Sequence, residues 1–191
     1  QMKKAIVITS ILTLISAVLL IYFAFGKYYI GYSILFLVLG ILAIASAIRY
    51  TVGSKAYGYK GYGDVFVFIF FGLVSTMGVN FLYSKQWELD LFLPAIAIGF
   101  LSVGVLNLNN MRDEASDKKA GKNTVVVKIG QENAKRYHYF LIISAMLLTV
   151  VFGLVNDFHF DQYLFVVMFV PLVLHLKRVY QNKEPRLLDP E

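Results

Sequence analysis

Six long stretches of the chain are almost entirely apolar, and short polar or charged segments separate them. A helix needs about 20 mostly apolar residues to cross the hydrocarbon core of a bilayer, and a helix of a soluble protein shows a single apolar stripe. These stretches are apolar on all sides, so the pattern predicts an all-α fold, a polytopic bundle of six membrane helices, and not a soluble helical core. The stretches are Ala5–Phe25, Tyr29–Ile48, Asp64–Tyr83, Leu91–Leu108, Tyr137–Val155 and Tyr163–Leu176.

Two details refine this prediction, which treats residues 1–191 as a single transmembrane domain. The last stretch is short and contains Pro171, so we expect it to be kinked or to extend by about a turn at each end. Small residues inside other stretches suit close packing between membrane helices. They are Gly72, Ser75, Gly78, Ala95, Gly99 and Ser102.

The composition supports a membrane protein and excludes several kinds of chemistry. Apolar residues make up 58% of the 191 residues and charged residues 16%, against about 45–50% and about 25% in soluble domains. The chain has no cysteine, which excludes disulfides, iron–sulfur clusters and thiolate catalysis. His138, His159 and His175 are far apart in sequence and near the ends of predicted helices, so we interpret them as interfacial residues and not as a zinc site.

Basic residues alternate from one side of the predicted membrane to the other. Sixteen of the 18 Lys and Arg residues fall at the termini and in two long loops, whereas the opposite side has only Lys27 and Lys85. The positive-inside rule therefore predicts a multi-pass protein of the cell (inner) membrane with both chain ends and both long loops in the cytoplasm. We expect a lipid bilayer, and no nucleic acid, as its partner.

The second long loop follows the fourth apolar stretch and contains candidate metal ligands. Asn109, Asp113 and Asp117 are spaced i, i+4 and i+8, so they project on one side if the fourth helix continues past the membrane surface. Asn110 joins that side through its i+3 and i+7 spacing, and Glu114 lies about 100° away from Asp113. Carboxylate and carboxamide oxygens suit Mg²⁺, an ion that keeps waters and is usually shared with substrate phosphates.

Cations flank this acidic run. Arg112 precedes it and Lys122 follows it, which fits a diphosphate held by metal on one side and by cationic groups on the other. A solvated, salt-bridged helix end is an equally good interpretation of the same spacing. The residues around Gly121-Lys122 lack the first glycine and the Ser/Thr of a P-loop, so nucleotide hydrolysis is not indicated.

The first long loop, between Tyr50 and Asp64, alternates Tyr, Lys and Gly without a G-x-G-x-x-G motif. Its glycines permit tight turns. The loop is suited to cradle an anion or, as an alternative, to lie as a flexible basic segment against lipid headgroups.

The second loop resembles the second aspartate-rich motif of the UbiA superfamily of intramembrane prenyltransferases. The matching pattern is N-N-M-R-D-x-x-x-D-x-x-x-G-K-x-T over residues 109–124. The segment from Tyr50-Thr51 to Phe70-Phe71-Gly72 and the final Leu188-Asp189-Pro190-Glu191 are also similar to the family. Within the superfamily, the pattern is most similar to the menaquinone-pathway branch, which acts on 1,4-dihydroxy-2-naphthoate.

The resemblance implies Mg²⁺-dependent transfer of a polyprenyl group from polyprenyl diphosphate to an aromatic acceptor. In this branch CO₂ and diphosphate are lost and demethylmenaquinol is formed. The resemblance also implies that Asp113 and Asp117 are catalytic and bind Mg²⁺, with Asn109 or Asn110 assisting. Contacts to the diphosphate are expected from Lys122, Lys60, Lys55 and Tyr50.

The sequence departs from the family pattern at its ends. The family has about nine membrane helices and a first motif, N-D-x-x-D, upstream of the third helix, and nothing in this sequence matches that motif. The chain resembles helices three to eight, so we expect a fragment that is incomplete at both ends. Two aspartates in register are few for the two Mg²⁺ ions that would bridge a diphosphate, so we expect no turnover by this chain alone.

Two alternatives stay open. One is a UbiA-type enzyme that acts on another aromatic acceptor such as 4-hydroxybenzoate, and the other is a non-catalytic membrane protein. Ion-coupled transport predicts ionisable residues buried in mid-helix, and no Lys, Arg, Asp or Glu lies near the centre of the six stretches. A scaffold would tolerate loss of Asp113 or Asp117, whereas the enzyme would not.

Overall fold

The computed structural model describes residues 2–51 and 56–188, and this part of the chain contains helices and turns but no β-strand. The α-helices are α1 Met2–Phe25, α2 Ile30–Thr51, α3 Gly63–Val67, α4 Ser75–Ser84, α5 Phe92–Lys119, α6 Val125–Val155 and α7 Phe169–Gln181. Short 3₁₀ segments cover Tyr57–Lys60, Leu89–Leu91, Phe160–Met168 and Pro185–Leu188, and a π-helical segment, Phe68–Val74, joins α3 to α4.

Within the described residues, six helical segments are long and apolar enough to cross a membrane, which confirms the prediction of six membrane helices. One of them combines α3, the π-helical segment and α4, and it is called the third span below. The six are Val7–Phe25, Ile30–Tyr50, Gly63–Ser84, Leu89–Lys119, Val125–Val155 and Phe160–Gln181.

α5 and α6 are much longer than the apolar stretches that predicted them. α5 ends at Lys119 and α6 begins at Val125, whereas the apolar stretches stop at Leu108 and start again at Tyr137. At about 1.5 Å per residue, α5 is about 42 Å long, against about 30 Å for the hydrocarbon core. The end of the bundle where α5 ends and α6 begins therefore projects beyond the core, and it is called the polar end below.

The last span has the extension that its short apolar stretch predicts. It starts as a 3₁₀ segment at Phe160 and continues as α7 to Gln181. Pro171 is the third residue of α7, and its missing backbone N–H falls where the hydrogen bonding changes from the 3₁₀ to the α pattern. The proline is thus accommodated at the change from 3₁₀ to α-helix.

The third span crosses α5 at a contact between glycines, as the small residues of both stretches predict. A Cβ built on Gly72 would lie 2.6 Å from the Cα of Gly99 and 2.8 Å from the carbonyl oxygen of Ala95. These positions leave no room for a side chain, so the two backbones are in direct contact. This crossing fixes the third span against the helix that carries the acidic run.

Large apolar side chains of the first two helices point outward. Phe23 is 80% exposed and Leu12 is 59% exposed, and such surfaces would be unfavourable in water at about 25 cal/mol per Å². This distribution is that of a protein whose outer surface contacts lipid acyl chains. The chain is therefore a multi-pass membrane protein.

A buried apolar cluster lies at the polar end. It joins the end of α5, both sides of the break in α6 at Gly130, the end of α7 and the last 3₁₀ turn. Its members are Met111, Val126, Ala134, Val179 and Leu188. Because these elements come from distant parts of the chain, their packing holds the polar end in one arrangement.

Candidate active site at the polar end

α5 carries the acidic run beyond the apolar core without a break, as the i, i+4, i+8 spacing requires. Asn109 is exposed, Asn110 is half-buried, and the side chain of Asp113 is 43% exposed. Asp117 is only 5% exposed. The row of oxygen ligands therefore runs along one helix and ends at a buried carboxylate.

Each of the two aspartates is paired with a cation. Arg112 donates from Nε and Nη2 to the two carboxylate oxygens of Asp113, at 2.9 and 3.0 Å. Lys122 donates from Nζ to Oδ1 of Asp117 at 2.8 Å. Bidentate and charge-assisted pairs of this kind are stronger than neutral hydrogen bonds. The flanking cations of the sequence thus contact the acidic run directly.

The turn after α5 explains how Lys122 reaches Asp117. Gly121 adopts a φ of +71°, a left-handed conformation that glycine takes at little cost, and the chain reverses there. The backbone N–H of Lys122 then donates to the carbonyl oxygen of Asp117 at 2.9 Å. The hydrogen bond and charge of Asp117 raise the pKa of Lys122 above its ordinary value, so its amine stays protonated at neutral pH.

The first long loop docks onto this turn. The backbone N–H of Asn123 donates to the carbonyl oxygen of Tyr59 at 2.8 Å, and Nζ of Lys128 donates to that of Lys60 at 2.7 Å. Lys122 lies 5.7 Å from the centre of the Tyr59 ring. The two long loops therefore form one surface around Lys122.

Tyr50, at the end of α2, completes this surface. Its ring lies against Gly63, where a Cβ would meet the ring at 3.2 Å and the hydroxyl at 3.6 Å. Tyr50 is close enough to Lys122, Asp117 and Asp64 to be influenced by their charges. The described residues thus bring Tyr50, Lys122 and Asp117 together. The side chain of Lys60 is exposed, and Lys55 lies outside the described residues.

We expect Gly61→Ala to weaken this docking far more than Gly121→Ala. Both glycines have left-handed φ values, +82° and +71°, so an alanine costs about 1–2 kcal/mol of backbone strain at either position. Only at Gly61 would the new Cβ also clash, 2.7 Å from the carbonyl oxygen of Asn123. Limited trypsin digestion at Lys60 in detergent should therefore be faster for Gly61→Ala, and equal rates in the two variants would contradict the docked loop.

Two contacts between polar residues of the bundle were not predicted. Tyr137 lies close enough to the buried Asp64 carboxylate to interact with it, and Nδ2 of buried Asn107 donates to the carbonyl oxygen of Ala134 at 3.1 Å. In the sequence, Asp64 and Tyr137 are each the first residue of an apolar stretch, and this position is the only signal that they differ from other polar residues. Such positions are usually interfacial, so pairing between two of them is visible only in three dimensions.

The interpretation of His138 as an interfacial residue is wrong. His138 is 1% exposed, and its Nε2 lies 2.9 Å from Nε2 of His175. The error has a clear cause: α6 begins at Val125, well before the apolar stretch, so His138 lies inside the helix and not at its end. The pair links α6 to α7.

The oxygen donors of α5 fit an Mg²⁺ ion that is shared with a ligand. Across residues 2–51 and 56–188, no three His, Asp or Glu side chains are grouped as metal ligands, so these residues do not form an all-protein cage. Mg²⁺ typically takes one or two carboxylates and completes its six ligands with waters and substrate phosphates. Asp113 and Asp117 are such a pair, and both lie beside cations that suit phosphate.

The fold and this site define a class: a polytopic membrane protein in which a helix end with paired acidic and basic side chains adjoins an apolar bundle. The chain belongs to the UbiA prenyltransferase family, whose family model matches residues 1–188.

Three relatives illustrate the similarity. The 1,4-dihydroxy-2-naphthoate octaprenyltransferase of Escherichia coli (strain K12) is 38% identical over 190 residues, which is 100% of this chain and 61% of the relative. The protein of that name in Haemophilus influenzae is 43% identical over 152 residues, covering 80% of this chain and 49% of the relative. The 2-carboxy-1,4-naphthoquinone phytyltransferase of Synechocystis sp. is 22% identical over 152 residues, covering 77% and 50%.

The chain thus spans about half to three fifths of the length of these relatives. No solved structure matches it.

Proposed function

We propose that the protein transfers a polyprenyl group from polyprenyl diphosphate to 1,4-dihydroxy-2-naphthoate, with loss of CO₂ and diphosphate to give demethylmenaquinol. The observation that carries this proposal is the polar end itself. There, two carboxylates are paired with cations, and a Tyr- and Lys-containing loop docks onto the turn that carries Lys122. The names of the relatives support the acceptor, because all three describe a naphthalene ring system and two name this compound.

The residues of the polar end have complementary roles toward the diphosphate. Asp113 and Asp117, assisted by Asn109 or Asn110, would hold Mg²⁺, which supplies positive charge to the departing diphosphate. Lys122 would move from Asp117 to a phosphate oxygen, because its side chain is 37% exposed and able to reorient. Lys60, Lys55 and Tyr50 would contribute further contacts from the first loop.

The apolar bundle has its own part in the reaction. The allylic cation that forms as diphosphate departs is destroyed by water, and a site among apolar helices excludes water. The prenyl chain, being apolar, would lie along these helices. Its diphosphate would stay at the polar end, since buried charge is costly unless it is paired.

The test is transfer of a labelled polyprenyl group by the full-length protein in membranes. We expect product with 1,4-dihydroxy-2-naphthoate, dependent on added Mg²⁺, and little with 4-hydroxybenzoate. Product with 4-hydroxybenzoate alone would favour the enzyme with another aromatic acceptor. If neither acceptor is prenylated, a non-catalytic membrane protein becomes the better interpretation.

We also propose that the protein lies in the inner membrane with its polar end in the cytoplasm, because sixteen basic residues lie on that side and two on the other. The chain has no cysteine, so single cysteines can be placed at will. A cysteine replacing Lys55 or Lys122 should react with an impermeant maleimide in inverted vesicles only. A cysteine replacing Lys85 is the control and should react from the other side, and the reverse pattern would refute this orientation.

A further inference from the structure

A second feature, away from the acidic run, is an apolar cavity that opens on the outer face of the bundle, where Val65 and Phe140 are 54% and 57% exposed. This cavity, of about 250 Å³, is bounded by the third span, α5 and α6. Its wall is aromatic and aliphatic, with Phe68, Phe100, Phe140 and Val103 among its members, apart from Asp64 and Tyr137. The volume is slightly below the range of about 300–1,000 Å³ for drug-sized ligands, which suits a small flat ring system.

Asp64 is the unusual member of this wall. Its residue is 7% exposed, and its Oδ2 is buried with no hydrogen-bond partner among the described residues. Tyr137 lies close enough to interact with the same carboxylate. A buried acceptor without a donor costs about 1–3 kcal/mol or more when charged, so this oxygen marks a place where a donor from a ligand would be favourable. The broad χ2 preference of Asp lets either oxygen turn toward the cavity.

The cavity adjoins the surface that we assign to the diphosphate. Asp64 directly follows Gly63, against which the Tyr50 ring packs. Tyr50 in turn lies in the field of both Lys122 and Asp64. Tyr50 therefore lies close both to the cationic surface and to Asp64 in the wall of the cavity, so a ring in the cavity would be a neighbour of a diphosphate at the polar end.

We propose that this cavity holds the aromatic acceptor, with a ring hydroxyl donating to Asp64, and that Asp64 takes the hydroxyl proton during prenyl transfer. The inference rests on the proposed function. A π electron pair of the ring forms the bond to the allylic carbon, whose bond to oxygen breaks with its pair leaving on diphosphate. The O–H pair becomes the second bond of a ring ketone as the proton passes to Asp64, and Tyr137 positions the carboxylate. The bond between the ring and the carboxyl group then breaks, CO₂ leaves, the electron pair of that bond restores the aromatic ring, and Asp64 returns the proton to the ring oxygen.

The first test compares acceptor and donor kinetics in the full-length protein. We expect Asp64→Asn, which keeps shape but accepts no proton, to lower kcat at least about a hundredfold, within the usual range for general acid–base groups. The KM for polyprenyl diphosphate should stay within about twofold. Tyr137→Phe should lower kcat by a smaller factor, about tenfold, because the carboxylate is kept. Exposed Glu88→Gln is the matched control and should behave like the unaltered protein.

The second test measures binding without turnover. Equilibrium dialysis should show that the unaltered protein binds 1-hydroxy-2-naphthoate at least about tenfold more tightly than 2-naphthoate, which lacks the hydroxyl. Asp64→Asn should lose most of this preference, because hydrogen bonds to a charged acceptor are about twice as strong as neutral ones. If Asp64→Asn fails to accumulate in membranes, Tyr137→Phe is measured in its place and should show a reduced preference.

The outcomes separate the two proposals. In one outcome the unaltered protein transfers the prenyl group, Asp64→Asn has a kcat within about threefold of it, and Asp64→Asn keeps the preference for the hydroxylated naphthoate. That outcome overturns the role of Asp64 and leaves the proposed function intact. Absence of transfer by the unaltered protein removes the proposed function. In that case, an equal affinity for the two naphthoates would also remove the cavity as a site for a ring hydroxyl.

Discussion

We expect Asp117→Asn, and separately Asp113→Asn, to lower prenyl transfer by the full-length protein at least about a hundredfold. Each change removes one anionic oxygen ligand and keeps the shape of the side chain. The loss is on the scale of removing one electrostatic contact to a transition state, about 10²–10³ in kcat. The measurement is the rate of labelled product formation at saturating acceptor, with the Mg²⁺ concentration varied.

The control for this prediction lies on the same helix. Glu114 is about 100° from Asp113 around α5, so Glu114→Gln should have a milder effect than either aspartate variant. Glu132→Gln, whose side chain is 84% exposed, should have none. If Glu114→Gln matches the aspartate variants, the assignment of one helix face to the metal is wrong.

The second large effect is expected at the crossing of the third span and α5. Gly72→Ala would place a Cβ 2.6 Å from the Cα of Gly99 and 2.8 Å from the carbonyl oxygen of Ala95. Both are backbone atoms, so the helices must separate. Overpacking of this kind typically costs about 1–3 kcal/mol, and for a chain of this size each kcal/mol corresponds to about 2–4 °C in Tm. The melting temperature in detergent should fall accordingly.

Gly78 is the matched control, because it lies in the same span and has room. A Cβ there would meet only the edge of Phe36, at 3.7 Å, which is ordinary contact. Gly78→Ala should therefore leave Tm unchanged or raise it slightly, since glycine inside a helix is less favourable than alanine by about 0.5–1 kcal/mol. A similar fall in both variants would mean that the Gly72 crossing is not specific.

Features that depend on residues close together in sequence could be predicted, whereas contacts between distant segments could not. The six spans were readable because membrane insertion depends on apolar residues that are contiguous in sequence. The acidic run was readable because Asp113 and Asp117 lie on one helix, whose period fixes their relative direction. Hydropathy does not predict the end of α5, because the helix continues through polar residues up to Lys119.

Contacts between distant segments had no such signal. Lys122 was placed near the acidic run by sequence, but its position under Tyr59 depends on the docking of two loops more than 60 residues apart. Asp64 and Tyr137 are paired only because the third span and α6 both pack against α5. Hydropathy places the start of α6 too late and so predicts an interfacial His138, whereas packing against α7 buries this side chain.

The sequence by itself therefore determined the class of fold, the number of spans, the charge asymmetry and the helix face that carries the carboxylates. Each of these depends on local hydropathy or on the geometry of a single helix. Only the tertiary structure decided which cation pairs with which aspartate, where the first loop docks, and that a carboxylate faces an aromatic cavity. Those features depend on how helices cross, and at Gly72 and Gly99 the crossing is set by the shapes of two distant segments in contact.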